Sequence, residues 1–181
     1  MYTLFQLAHT TGSTVMRALA WEFPNDPSLA NADRQFLLGG SLMVTPVLVQ
    51  GVTSVNGVFP GIADGEIWYD WYTHEVMKAA AGVNTTIDAP LGHIPVYIRG
   101  GSVLPIQEPA MTTRDSRKNP WGLLVALSVE GSAIGNLYLD DGESITPNAT
   151  MWIDVSKAYK ILGGFFFDTV ISSPPRTARC T

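Results

Sequence analysis

The chain has 181 residues, 46% of them hydrophobic and only 15% charged, with a formal net charge of −5. That is room for one ordinary domain or two small ones with a real core, and fewer charges than the roughly 25% usual in soluble domains. No basic run marks a nucleic-acid footprint, and no apolar stretch approaches the ~20 residues of a membrane-spanning helix.

Met1-Tyr2-Thr3-Leu4-Phe5 lacks the basic region and cleavage site of a signal peptide. It reads as the middle of a helix, so the chain looks truncated. Residues 2–11 put Leu4, Leu7 and Ala8 on one helical face, and Gly12 stands where a C-cap is expected. Ser13 to Phe23 fits a strand better than a helix. Val15, Arg17, Leu19, Trp21 and Phe23 would share one face, with Met16, Ala18 and Ala20 on the other. Both faces are largely apolar, as in a buried strand. Helix, short loop and buried strand together form the repeating unit of a (β/α) barrel.

Pro24-Asn25-Asp26-Pro27 stops that strand, and a short helical turn is expected over Ala32 to Leu38, closed by Gly39-Gly40. From there the predicted elements are strands: 42–49, 52–58, 66–72, 85–89, 94–99, 102–107, 123–129 and 135–139. Gly, Pro and Asn turns separate them at the spacing of a β-sandwich. Val96 to Arg99, Gly100-Gly101 and Ser102 to Leu104 read as a tight hairpin. Glu108 to Pro120 has almost no large apolar residue and is the best candidate for a boundary between two sandwiches. After Ile153 the text shows neither clean alternation nor a helix period.

Several segments, taken together, resemble the fungal extracellular α-glucosidases of glycoside hydrolase family 31. They include Tyr2-Thr3-Leu4-Phe5, Val15-Met16-Arg17, Glu22 to Pro27, Gln35 to Gly39 and Trp68-Tyr69-Asp70-Trp71-Tyr72. Ala89 to Val96, Arg99 to Ser102, Leu104 to Pro109, Thr112-Thr113-Arg114 and Leu137 to Ser144 continue the match. Their common order up to about residue 147 is the signal. One departure is Ala18, where family members often have proline.

The resemblance implies a mainly β chain: C-terminal β-sandwich domains preceded by the last helix and strand of a truncated (β/α)8 barrel. Residues 1–38 would be the barrel remnant, 39–117 the proximal sandwich and 118–153 the start of a distal β domain. Residues 154–181 would be a divergent, poorly ordered tail, the mark of a truncated gene model or a misread splice junction. The family reaction is retaining hydrolysis of terminal α-linked glucose, without a cofactor, by two aspartates on earlier barrel strands. The family's Trp-x-Asp-Met-Asn-Glu-like nucleophile segment does not occur here, so no catalytic position carries over. The implied partners are an α-glucan oligosaccharide in the full-length parent and the missing catalytic barrel. The parent is expected outside the cell.

Other candidates are weighed on their residues. Asp140-Asp141-Gly142-Glu143 lacks the spacing of a calcium loop, and adjacent residues cannot flank one bond; an Asp-Gly hairpin turn is favoured. His9, His74 and His93 lie too far apart in sequence for a zinc site, and the one cysteine, Cys180, has no partner. Arg17 and Glu22 have opposite strand parity and should not face each other. Asn84-Thr85-Thr86 and Asn148-Ala149-Thr150 are N-glycosylation acceptors in polar stretches. Trp68 and Trp71 invite a sugar-stacking role, although an aromatic strand in a sandwich is more often core. Two further readings stay open: a non-catalytic carbohydrate-binding sandwich, and a scaffold for a separately made catalytic chain.

Overall fold

A computed structural model of the chain describes residues 1–158 and 166–168. Helix α1 (Tyr2–Thr11) ends at Gly12, as the sequence predicts. The strand expected from Ser13 to Phe23 is cut short. Only β1 (Met16–Arg17) is extended, and α2 (Leu19–Glu22) follows as one helical turn. Leu-Ala-Trp-Glu contains no β-branched residue and favours a helix locally. Ala18 opens the turn at φ −64°, the angle a proline ring would impose.

A 3-10 turn (Pro27–Asn31) leads to β2 (Phe36–Leu38), a strand in place of the expected helical turn. Gly39-Gly40 turns β2 into β3 (Leu42–Val44), with Leu38 opposite Leu42. Alternation explains the strand, because Gln35 and Leu37 are buried while Phe36 and Leu38 are only half covered.

The remaining strands are β4 (Ser54–Gly57), β5 (Trp68–Asp70), β6 (Thr85–Asp88), β7 (Val96–Arg99) and β8 (Ser102–Gln107). A short helix α3 (Thr113–Ser116) precedes β9 (Trp121–Ala126), β10 (Ser132–Leu139), β11 (Met151–Ala158) and β12 (Phe166–Asp168). They form one five-stranded sheet in the order β1-β2-β3-β7-β5, a second in the order β11-β10-β8-β9-β12, and the pair β4-β6.

The first sheet is covered on both faces. On one side Leu37, Met43, Trp68 and Tyr97 pack with Phe59 and Ile87. On the other, Tyr69 and Ile98 meet Leu124 and Ala126 of the second sheet. Burying each such large side chain contributes about 2 kcal/mol, which is what holds two sheets face to face. Burial, aided by Asp70, pushes the Tyr97 phenol up to about 12.

Two polar side chains are central to this core. Gln35, 6% exposed, donates through its amide to Thr45 Oγ1 at 3.0 Å and to the Val58 carbonyl at 3.2 Å. Its own carbonyl accepts from the Val58 N–H at 2.7 Å.

β7 and β8 do not pair with each other, so the expected Gly100-Gly101 hairpin is a crossing between sheets. A two-residue hairpin of the favoured kind needs positive φ at both positions. Only Gly101 has it, at 82°. Gly100 and Gly101 instead donate to the carbonyls of Ile67 and Ala126, one in each layer. The segment Glu108 to Pro120, expected to divide one sandwich from the next, joins β8 to β9 within one sheet.

β11 also passes beyond the expected limit at Ile153. It pairs with β10 along its whole length, from Leu139 opposite Met151 to Ser132 opposite Ala158. β12, within the Phe165-Phe166-Phe167 text, pairs with β9. The rest of the expected divergent tail, 159–165 and 169–181, lies outside the described residues.

Candidate functional site

The opposite-parity argument for Arg17 and Glu22 fails because the chain turns between them. The helical turn of α2 brings the Glu22 carboxylate back onto the Arg17 guanidinium as an ion pair whose side chains are 16% and 20% exposed. A second pair, Arg99 with Glu66, lies beside it, and the Arg99 guanidinium stands 4.6 Å over the Phe23 ring. The Glu66 hydrogen bond raises the Arg99 pKa further above its ordinary value. Arg99 is thus held as a cation.

Arg17, Glu66 and Arg99 line a cavity of about 1220 Å³ between α1, the first sheet and the diverging strands β8 and β10. The cavity begins where those strands separate. β10 pairs with β8 at one residue, Ile134 opposite Ser102. A Cβ at the neighbouring Gly135 would lie 2.0 Å from the Val103 carbonyl oxygen, so only glycine allows that approach. Leu4, Leu7 and Trp71 supply apolar lining, and Arg117 and Asp140 supply charged lining.

Asp140-Asp141-Gly142-Glu143 forms a turn, but not a two-residue hairpin, since residues 140–150 separate β10 from β11. Asp140 Oδ1 accepts from the Gly142 N–H at 2.7 Å, and Asp141 Oδ1 accepts from Glu143 and Ser144. Tyr2 donates its hydroxyl to Asp140, 2.8 Å from each carboxylate oxygen. Among the described residues the carboxyl pKa values that are displaced move down: Asp115 by Lys118, Glu130 by Ser128 and Asp141 by Ser144. A general acid needs displacement the other way.

The two tryptophans singled out in the sequence have different surroundings. Trp68 is 1% exposed, donates its indole N–H to the Pro60 carbonyl at 2.9 Å and belongs to the core, so neither ring face is open to a sugar. Trp71 is half-buried against Tyr69 and Ile98 and reaches the cavity wall. Asn84 and Asn148 are both exposed. His9 lies in the last turn of α1, and His93 stacks beside Tyr72 with ring centroids 4.6 Å apart. Among the described residues no three His, Cys, Asp or Glu side chains gather where they could hold a metal ion. No described helix is long and apolar enough to cross a membrane.

Sequence reasoning does not find the row Tyr2, Tyr138 and Trp152. Tyr138 and Trp152 are cross-strand partners, with centroids 6.2 Å apart, and Tyr2 of α1 lies 6.0 Å from Tyr138. Period-2 alternation puts Trp152 and Asp154 on one face, but the expected end of regular structure at Ile153 falls between them.

These features define a β-sheet assembly carrying a short helical segment on one side. Residues 12–104 match the model of the glycosyl hydrolase family 31 C-terminal domain. The chain belongs to glycoside hydrolase family 31. It is 66% identical over 153 residues to an α-glucosidase of Aspergillus niger, a match covering 84% of this chain and 16% of that protein. It is also 54% identical to glucoamylase 1 of Schwanniomyces occidentalis, over 86% of this chain and 16% of that one. The glucosidase II α subunit superposes with a TM-score of 0.71 at 33% identity, over 78% of this chain and 15% of its own. The chain therefore spans about 16% of the length of these curated relatives.

Proposed function

We propose that this chain is the C-terminal supporting portion of a secreted retaining α-glucosidase, and that the reacting aspartates belong to a catalytic barrel outside these residues. The 66% identity to an α-glucosidase carries the reading. A retaining mechanism uses two carboxyls about 5 Å apart across the scissile bond, one of them with a raised pKa. Of the four carboxylates lining the cavity, Glu66 is engaged with Arg99, Asp140 with Tyr2 and Glu130 with Ser128, and Asp64 is the fourth. On this reading α1, β1 and α2 belong to the barrel's end, and the ion pairs at Arg17 and Arg99 join barrel to sandwich. The substrate is an oligosaccharide with terminal α-linked glucose, processed outside the cell without a cofactor. The exposed Asn84 and Asn148 carry N-glycans.

The test compares this polypeptide alone with the same residues joined in frame to the barrel of a relative. A chromogenic α-glucoside should be turned over by the joined protein only. Turnover by the 181-residue chain would overturn the proposal.

A second reading, a non-catalytic carbohydrate-binding module, is favoured by Trp71 on the cavity wall. It expects saturable malto-oligosaccharide binding that weakens on Trp71→Ala.

A further inference from the structure

One face of the β10–β11 pair carries Asn136 and Tyr138 on one strand and Trp152 and Asp154 on the other, with Asp140 just past the end of β10. Their register sets Tyr138 opposite Trp152 and Asn136 opposite Asp154. The rings run in a row. Tyr2 is tilted 30° to Tyr138 and Trp152 is tilted 50° to it. The ends of the row are open, with Tyr2 49% and Trp152 43% exposed, while Tyr138 between them is 8% exposed and acts as the spine.

Both end rings are held by their polar edges. The Tyr2 hydroxyl donates to Asp140, and the Trp152 indole N–H donates to Asp154 Oδ1 at 2.8 Å. Asp154 also accepts from the Asn136 amide. The rings are therefore pre-positioned, and little side-chain entropy is left to lose on binding. The two end rings stay about half exposed, and the exposed Asn136 amide and Asp154 carboxylate stand alongside.

An aromatic face beside carboxylate and amide groups matches a pyranose, whose C–H face is apolar and whose rim is hydroxyl. We propose that Tyr2 and Trp152, set on either side of the buried Tyr138, form an accessory binding surface for an α-linked gluco-oligosaccharide, with Asp154 and Asn136 meeting its hydroxyls. The choice of α-linked glucose rests on the proposed function above. Tyr2 and Tyr138 also line the cavity. The surface would hold a longer glucan beside the enzyme while its end is processed elsewhere.

Maltoheptaose titrated into the 181-residue chain, followed by calorimetry, should give saturable binding that Trp152→Ala weakens at least tenfold. Trp152→Phe, which keeps a ring, should retain most of it. In the unmodified chain the Trp152 indole N–H resonance, assigned by its loss in Trp152→Phe, should shift on adding maltoheptaose but not cellohexaose. That measurement decides the matter should Trp152→Ala fail to fold. Absence of binding, an unmoved Trp152 resonance, or an equal response to cellohexaose would overturn the proposal. None of these outcomes bears on turnover by the barrel-joined protein, which tests the α-glucosidase reading separately.

Discussion

Gln35 shows how much one polar side chain can hold in a core made of short strands. Its amide stands in for a missing strand partner, since it both donates to and accepts from the backbone of Val58, 23 positions away in sequence. It also fixes the hydroxyl of Thr45, which is fully buried. Gln35→Ala would strand an N–H, a carbonyl and a hydroxyl away from water. Each buried unsatisfied group costs about 1–3 kcal/mol, partly recovered where water enters the space. The expected loss is about 3 kcal/mol, read as a fall in the urea midpoint with the slope unchanged. Gln35→Glu should not rescue it, because a carboxylate cannot donate to Thr45 and Val58. The sequence marks Gln35 only as a residue before Phe36-Leu37-Leu38; its partners at 45 and 58 become visible once β2 pairs with β3.

The short strands and turns show which features of the fold are readable from the sequence. The strands from β3 to β10 are legible within a few residues, because alternation and Gly/Pro punctuation are local signals. Their partners are not. Gly100-Gly101 carries the residues of a hairpin, yet the strands on either side enter different sheets, a choice made by Ile67 and Ala126 far along the chain. The stretch after β1 misleads for a related reason. Alternating apolar residues suit a strand, but the turn at α2 lets Leu19 reach the core and Glu22 reach Arg17. That contact can be measured. Glu22→Ala leaves the Arg17 charge 16% exposed and without its carboxylate, so a loss of about 1–3 kcal/mol is expected. Arg17→Met/Glu22→Ala together should cost less than the sum of the single changes, by about 1 kcal/mol or more in a double-mutant cycle. Strict additivity would mean that α2 is set by its own propensity and not by the pair.

At the scale of the whole molecule, one side lacks, among the described residues, the cover that the other side has. The two sheets bury their facing surfaces, whereas α1 has no buried residue and is tied down chiefly through Tyr2, Thr3 and Leu4. In α1, β1 and α2 respectively, Phe5, Met16 and Trp21 are 55%, 61% and 65% exposed. Large apolar side chains left this open favour association. The net charge of −5 opposes this association at neutral pH, and that opposition fades as the pH falls toward the isoelectric point near 5.0. The isolated chain should therefore self-associate with rising concentration, more strongly at about pH 5 than at about pH 7.5, in sedimentation velocity runs. Phe5→Ser and Trp21→Ser should shift it back toward monomer with little change in thermal midpoint, since neither side chain is buried. Fusion to the barrel of a relative should do the same by covering that side. A chain that stays monomeric at both pH values, at concentrations of about 100 µM, would leave no physical reason for this side to need a partner.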